Sequence, residues 1–117
     1  DLNGEAFNFG PNAEQNRTVK KLIKDLSKFW DFDSLDDAFT ITDNIPFHEA
    51  GLLKLNCDKA LSYLHWQANL DYKETIKYTS EWYYNFYKKK QDMYEYTINQ
   101  INSYEAVAKE KKLSWTE

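Results

Sequence analysis

Hydrophobic and polar positions alternate near the start of the chain and then shift to a helical period. In Glu5-Ala6-Phe7-Asn8-Phe9 the two phenylalanines share a face, and Gly10-Pro11 ends the run, so a short strand and a turn are expected. Val19, Leu22, Ile23, Leu26, Phe29 and Trp30 fall at i, i+3, i+4, i+7, i+10 and i+11, the stripe of an amphipathic helix. Asn16 or Thr18 can accept from the free amides at its start. The helix should fail in Asp31-Phe32-Asp33-Ser34, where short polar side chains compete for backbone groups. Residues 38–42 alternate again, with Phe39 and Ile41 on one face, and predict a second strand. Pro46 lacks an amide donor and biases Ile45 away from helix, so residues 43–49 are irregular. Leu52, Leu53 and Leu55 make a third extended stretch, after which Asn56 or Asp58 caps a short helix carrying Ala60, Leu61 and Leu64.

The second half reads as two longer helices. Asp71-x-x-Glu74 has capping-box spacing ahead of a stripe of Ile76, Thr79, Tyr83 and Phe86, and Lys88, Lys89 and Lys90 close that helix at its negative end. Thr97-x-x-Gln100 repeats the capping signature before Ile98, Ile101 and Val107, and beyond Lys109 the chain should fray. Three isolated short strands are too few to stand alone and belong to a sheet completed elsewhere. The expectation is one domain over residues 1–117, α+β and helix-rich, with a few short strands.

Composition narrows the function classes. With 117 residues the chain has enough material for one modest core. Three Gly, two Pro and a lone Cys57 exclude collagen-like, low-complexity and disulfide-framework chains. A net charge of −4 argues against generic nucleic-acid binding, which needs a basic face. No apolar run reaches the roughly 20 residues that span a bilayer, and the first residues lack the basic and apolar regions of a secretory signal. With the single cysteine, this points to a cytoplasmic protein without membrane partners. The first residue is Asp and the sole methionine is Met93, so a processed chain or a segment of a longer one is expected. The 9 Tyr, 7 Phe and 4 Trp suit half-buried surfaces: a sugar platform, a partner interface or a small core.

Chemistry-bearing patterns are sparse. His48 and His65 stand apart, Cys57 is alone, and no metal-ligand spacing occurs. Three glycines, Gly4, Gly10 and Gly51, form no phosphate-cradling motif, and no nucleophile elbow or triad is evident. Tyr84-x-x-x-Lys88 has the spacing that sets a tyrosinate beside a lysine, but so many tyrosines and lysines produce it by chance, and no strand or serine precedes it. Two candidates for ligand contact remain. His48-Glu49, in a proline-initiated loop, can hydrogen-bond hydroxyls or phosphate, or can simply pack and pair locally. Arg17, the only arginine, lies just after the Gly10-Pro11 turn and can clamp a pyrophosphate bidentately, or can be a solvated first-turn residue.

Several of these segments, in order, resemble the CDP-glucose 4,6-dehydratases. Glu5-Ala6-Phe7-Asn8-Phe9-Gly10-Pro11 is similar to their Ala-Trp-Asn-Phe-Gly-Pro segment. The run from Pro46-Phe47-His48-Glu49-Ala50 through Leu53-Lys54-Leu55-Asn56-Cys57-Asp58-Lys59-Ala60 resembles their Pro-His-Glu-Ala-His-x-Leu-Lys-Leu-Asp-Cys-Ser-Lys-Ala block. Leu64-His65-Trp66, Thr79-Ser80-Glu81-Trp82-Tyr83, Asp92-Met93 and Thr97-Ile98-x-Gln100-Ile101-x-x-Tyr104-Glu105 continue the likeness. The Leu-x-Trp and Glu-Trp-Tyr pieces are shared across the extended short-chain dehydrogenase/reductase family of nucleotide-sugar enzymes.

The resemblance implies a C-terminal substrate-binding lobe of such an enzyme, with the N-terminal dinucleotide-binding domain absent. In the family reaction NAD takes hydride from C4 of the hexose, water leaves across C5–C6, and the hydride returns at C6. Catalytic groups and NAD would reside in the absent domain, leaving no catalytic residue and no cofactor here. The whole enzyme would be a homodimer serving deoxysugar and lipopolysaccharide O-antigen synthesis. Gly10, Arg17, His48 and Glu49 are the expected contacts to CDP-glucose or a similar nucleotide sugar. Gly51 stands where the family has a second His, Asn56 where it has Asp, Asp58 where it has Ser, and Gln67-Ala68-Asn69 replaces a basic-Pro-basic segment. The alternatives are a lobe of another nucleotide-sugar epimerase or dehydratase, and an independent helical protein-interaction module.

Overall fold

The computed structural model describes residues 2–12, 17–41 and 55–116. These residues form four α-helices: α1 (Val19–Ser27), α2 (Asp58–Leu64), α3 (Tyr72–Tyr84) and α4 (Met93–Glu110). A π-helical turn, Asn85–Lys89, continues α3, and 3-10 turns lie at Leu35–Asp37 and Ser114–Thr116. Helix α3 is the hub, packing against both α1 and α4.

Local chemistry sets the helix ends. Thr18 Oγ1 accepts from the Lys21 amide at 3.2 Å and starts α1; the alternative cap, Asn16, lies outside the described residues. The helix stops at Ser27, earlier than its apolar stripe suggests, because Phe29 and Trp30 donate to the carbonyls of Leu26 and Ser27 and tighten the last turn. At α2 the N-cap is Cys57, which makes no side-chain cap bond, rather than the expected Asn56 or Asp58; Asn56, one residue earlier, accepts through Oδ1 from the Asp58 amide at 2.8 Å. His65 ends α2 with φ 51°, a left-handed position that usually favours glycine, and lets the Trp66 amide reach the Ala60 carbonyl. The capping box of α3 forms as its spacing predicts: Asp71 accepts from the Glu74 amide at 2.8 Å, and Glu74 accepts from the Asp71 amide at 2.7 Å.

Three expectations are corrected. The buried stripe of α3 runs through Ile76 and Ser80, and it leaves Thr79, Tyr83 and Phe86 exposed. Helix α4 begins at Met93, not at Thr97, because Asp92 accepts from the amides of Tyr94 and Glu95. Thr97 and Gln100 instead tie α4 to α3: Trp82 Nε1 donates to Thr97 Oγ1 at 3.0 Å, and Gln100 Nε2 donates to the Tyr78 carbonyl at 3.0 Å. Ile98 and Ile101 are exposed, while Ala108 carries the burial of α4. The C-terminal segment does not fray; Leu113 donates to the Ala108 carbonyl and Trp115 stacks on Tyr104 at 6.1 Å.

No strand occurs among the described residues, which corrects the α+β expectation to a helix-rich fold. Alternation alone does not make a strand, because the backbone needs a ladder partner, and residues 5–9 and 38–41 have none among the described residues. Residue 42 and the Leu52–Leu53 part of the third stretch lie outside the described residues. The described core is thin: Ala60, Ile76 and Ala108 are its fully buried apolar residues. The radius of gyration, 17.5 Å, exceeds the roughly 13 Å of a compact chain this long. Much apolar surface is therefore left facing outward.

Candidate functional site

Two clefts carry the polar chemistry. The first, about 360 Å³, lies between the Gly10-Pro11-Asn12 segment and the start of α2. Lys59 fastens the N-terminal segment there: its Nζ pairs with Glu5, donates to the Ala6 carbonyl at 3.1 Å and sits 4.9 Å from the Phe7 ring centroid. The hydrogen bond and charge of Lys59 hold the Glu5 carboxyl below its usual range. Phe9 packs edge-on to Trp66 at 5.0 Å, and Asn8 Nδ2 donates to the Asn56 carbonyl at 3.4 Å. These contacts bring Gly10 beside Leu55 and Cys57, with the Cys57 Sγ 3.9 Å from the Gly10 carbonyl oxygen.

The polar lining of this cleft is Asn12, Asn56, Asp58 and Gln67, with Leu55, Leu61 and Trp66 as apolar walls. Amides and a carboxylate, without a lining cation among the described residues, suit hydroxyl groups rather than phosphate. Gly10 is not demanded by packing, since a Cβ there would meet Leu55 at 3.5 Å and Cys57 at 3.6 Å, both ordinary contacts.

The second cleft, about 400 Å³, lies between α1 and α3 and is lined by Arg17, Lys21, Asp25, Lys28, Lys73 and the apolar faces of Phe29, Tyr72 and Ile76. Its centre is Asp25, a buried carboxylate on α1. Lys21 and Lys28 each approach it to 2.8 Å, and the Tyr72 hydroxyl donates to it at 3.1 Å. Hydrogen bonds from Lys21 and then Lys28 pull the Asp25 carboxyl well below the usual carboxylate range, against the opposing effect of burial. Burial first, and then the bond to Asp25, push the Tyr72 phenol up. The Arg17 guanidinium lies 5.1 Å above the Tyr72 ring. Four cationic side chains against one carboxylate leave this cleft positive, and the aromatic walls suit an anion with a flat apolar part.

The structure thus places Gly10 in the first cleft and Arg17 in the second, and the two linings share no residue. His48 and Glu49 lie outside the described residues. Sequence reasoning missed the Asp25–Tyr72 centre, although the i+4 and i+3 spacing of Lys21, Asp25 and Lys28 displays the ion pairs. The Tyr84-x-x-x-Lys88 pattern has no catalytic geometry. Tyr84 donates to Asp31 at 2.6 Å, a bond that pushes its phenol up when a tyrosinate base requires the reverse, and Lys89 is the lysine over its ring. Among the described residues no group of three or more His, Cys, Asp or Glu gathers, and no helix is long and apolar enough to cross a membrane.

No protein-family model matches the chain. No solved structure matches it either. Over 81 residues, 68% of the chain, it is 36% identical to the CDP-glucose 4,6-dehydratase of Salmonella typhimurium, a distant relationship. That stretch covers 21% of the dehydratase, so the chain spans about a fifth of the length of the curated relative it matches.

Proposed function

We propose that this chain is the nucleotide-sugar-binding C-terminal part of a CDP-glucose 4,6-dehydratase-like enzyme and is inactive alone. The observation that carries this reading is its sequence relationship to the Salmonella dehydratase. The clefts support it chemically. In this reading the positive cleft takes the diphosphate, with Arg17 as the bidentate donor and Lys21, Lys28 and Lys73 as surrounding charge. The amide-lined cleft beside Gly10 takes hydroxyls, and His48 and Glu49 complete the sugar contacts.

These residues do not fit NAD. Gly4 stands in an open turn and Gly10 packs on Leu55 and Cys57, so neither forms a glycine cradle at a helix N-terminus. The reading therefore assigns NAD and the catalytic groups to an N-terminal dinucleotide-binding domain of a longer, homodimeric enzyme. What this lobe contributes is grip and orientation.

Titration of the isotope-labelled chain with CDP-glucose, followed by amide and indole NMR signals, tests the binding role. Weak, saturable shifts at Gly10, Asn12, Asn56 and Trp66, together with shifts around Arg17, are the expected result. CDP alone should move the second set and glucose alone neither. Absence of shifts at millimolar CDP-glucose, or equal shifts with simple anions, overturns the reading. An antibody to residues 97–117 adds a second check: it should detect a native polypeptide several times longer than 117 residues, and a polypeptide of this length alone would remove the enzyme assignment.

A further inference from the structure

Away from the two clefts, the seam between α3 and α4 opens into a hollow of about 370 Å³. Tyr78, Trp82 and Tyr83 line it together with Thr79 and Gln100, and it shares no residue with either cleft. Small-molecule sites have roughly this size, about 300–1,000 Å³, and combine aromatic walls with a few polar groups in the same way.

The walls are held in place before any ligand arrives. Trp82 and Tyr83 stand at 81° to one another with ring centroids 5.3 Å apart, so they form a right-angled corner. Each is backed by a parallel ring one turn on, Trp82 by Phe86 at 5.6 Å and Tyr83 by Tyr87 at 6.3 Å. Trp82 Nε1 donates to Thr97 Oγ1 at 3.0 Å, and that hydroxyl donates in turn to the Met93 carbonyl at 2.6 Å. Gln100 Nε2 donates to the Tyr78 carbonyl at 3.0 Å and ties the remaining side across the seam.

The lining selects by charge as well as by shape. None of its described residues is charged, the ring faces carry negative potential, and Thr79 and Gln100 add oxygen lone pairs. Elsewhere the chain covers such faces with its own cations: Arg17 over Tyr72, Lys59 over Phe7 and Lys89 over Tyr84. Among the described residues no cation lies over Tyr78, Trp82 or Tyr83. The net charge of −4 also draws cations rather than anions to the chain. A primary ammonium is held back by its strong hydration, whereas a methylated one presents an apolar surface that the rings can cover.

We propose that this hollow binds a small quaternary ammonium compound of the choline type, its methylated head seated in the Trp82–Tyr83 corner against Tyr78. Three partly exposed rings give an expected dissociation constant of about 10 mM.

NMR titration of the full chain with choline, read at the Trp82 indole signal, tests the proposal. The control ligand is the neutral alcohol in which carbon replaces the ammonium nitrogen, which keeps the shape and removes the charge. Choline should give saturable shifts and the alcohol none at the same concentrations. Thr79 is exposed on the rim, so Thr79→Glu should tighten choline about fivefold and Thr79→Lys should weaken it about fivefold. Circular dichroism checks that the helices persist in both variants. Equal shifts with the alcohol overturn the proposal, because they reveal an apolar hollow with no preference for charge. A response to glucose without one to choline overturns it in favour of a sugar platform. Choline binding indifferent to both Thr79 variants also overturns it. So does binding of a trimethyl-lysine peptide or of phosphatidylcholine vesicles where free choline fails. None of these readings involves CDP-glucose, so either idea can fail without the other.

Discussion

Ser80 is a polar residue in the wrong place for stability. It lies in the middle of α3, 1% exposed, and its Oγ has no hydrogen-bond partner among the described residues. A hydroxyl taken out of water without a partner costs about 1–3 kcal/mol. Serine in a helix interior is about 0.5 kcal/mol less favourable than alanine. Ser80→Ala removes both costs, and it leaves a void of a single small atom that offsets part of the gain. The net expectation is about 1 kcal/mol of added stability, or a rise of about 4–6 °C in Tm for a domain of this size. Differential scanning calorimetry of the two chains side by side gives the comparison, and urea titration with an unchanged m-value confirms that the native state gained. Ser80→Val serves as the control: its extra methyl groups enter space already filled and should cost about 1–3 kcal/mol. A Ser80→Ala chain that melts lower than the parent would refute the reasoning, since it would mean that the hydroxyl is satisfied.

Other outcomes follow from the same geometry. Asp71→Ala breaks one half of the α3 capping box and should cost about 1 kcal/mol in chemical denaturation, whereas Asp71→Ser should recover most of it. The Asp25 carboxyl is depressed in the folded state, so the stability it contributes is fully present above the ordinary carboxylate value near 4 and declines as pH falls below it. Asp25→Asn should be less stable at pH 7 yet show a flatter loss of Tm between about pH 4 and pH 2; parallel curves for the two chains would refute the ion-pair assignment. Gly10→Ala should leave stability in chemical denaturation within about 0.5 kcal/mol of the parent, because its Cβ meets only ordinary contacts. Gly10→Trp should abolish any CDP-glucose response at Asn56 and Trp66 if the first cleft is the sugar site.

What the sequence revealed and what it hid have physical causes. Helix identities were legible because α1 and α3 carry strong local signals, the apolar spacing from Val19 to Trp30 and the Asp71/Glu74 box. The start of α4 was misplaced because Thr97-x-x-Gln100 mimics a cap, although Asp92-x-x-Glu95 five residues earlier has the same spacing and Asp92 is the residue that accepts from the helix's first amides. Strands were expected from alternation at Phe7/Phe9 and Phe39/Ile41, a period set by residues nearby in sequence. Pairing depends on a distant partner, which no local pattern encodes. Of the candidate site, Gly10 and Arg17 were legible by residue type. Their separation into two clefts was not, because it depends on Lys59 reaching Glu5 and on Asp25 gathering Lys21, Lys28 and Tyr72, all contacts made by folding.

The half-buried Cys57 sulfur, set against Gly10 on one side and Leu55 on the other, is the chain's sole thiol. Cys57 lines the first cleft, so a thiol reagent reaches it through that cleft and faster when the Gly10-Pro11 segment lifts away from α2. Its labelling rate therefore follows access to the cleft without any engineered probe. Anything that seats in the cleft should slow the labelling, which turns a single native atom into a readout of occupancy.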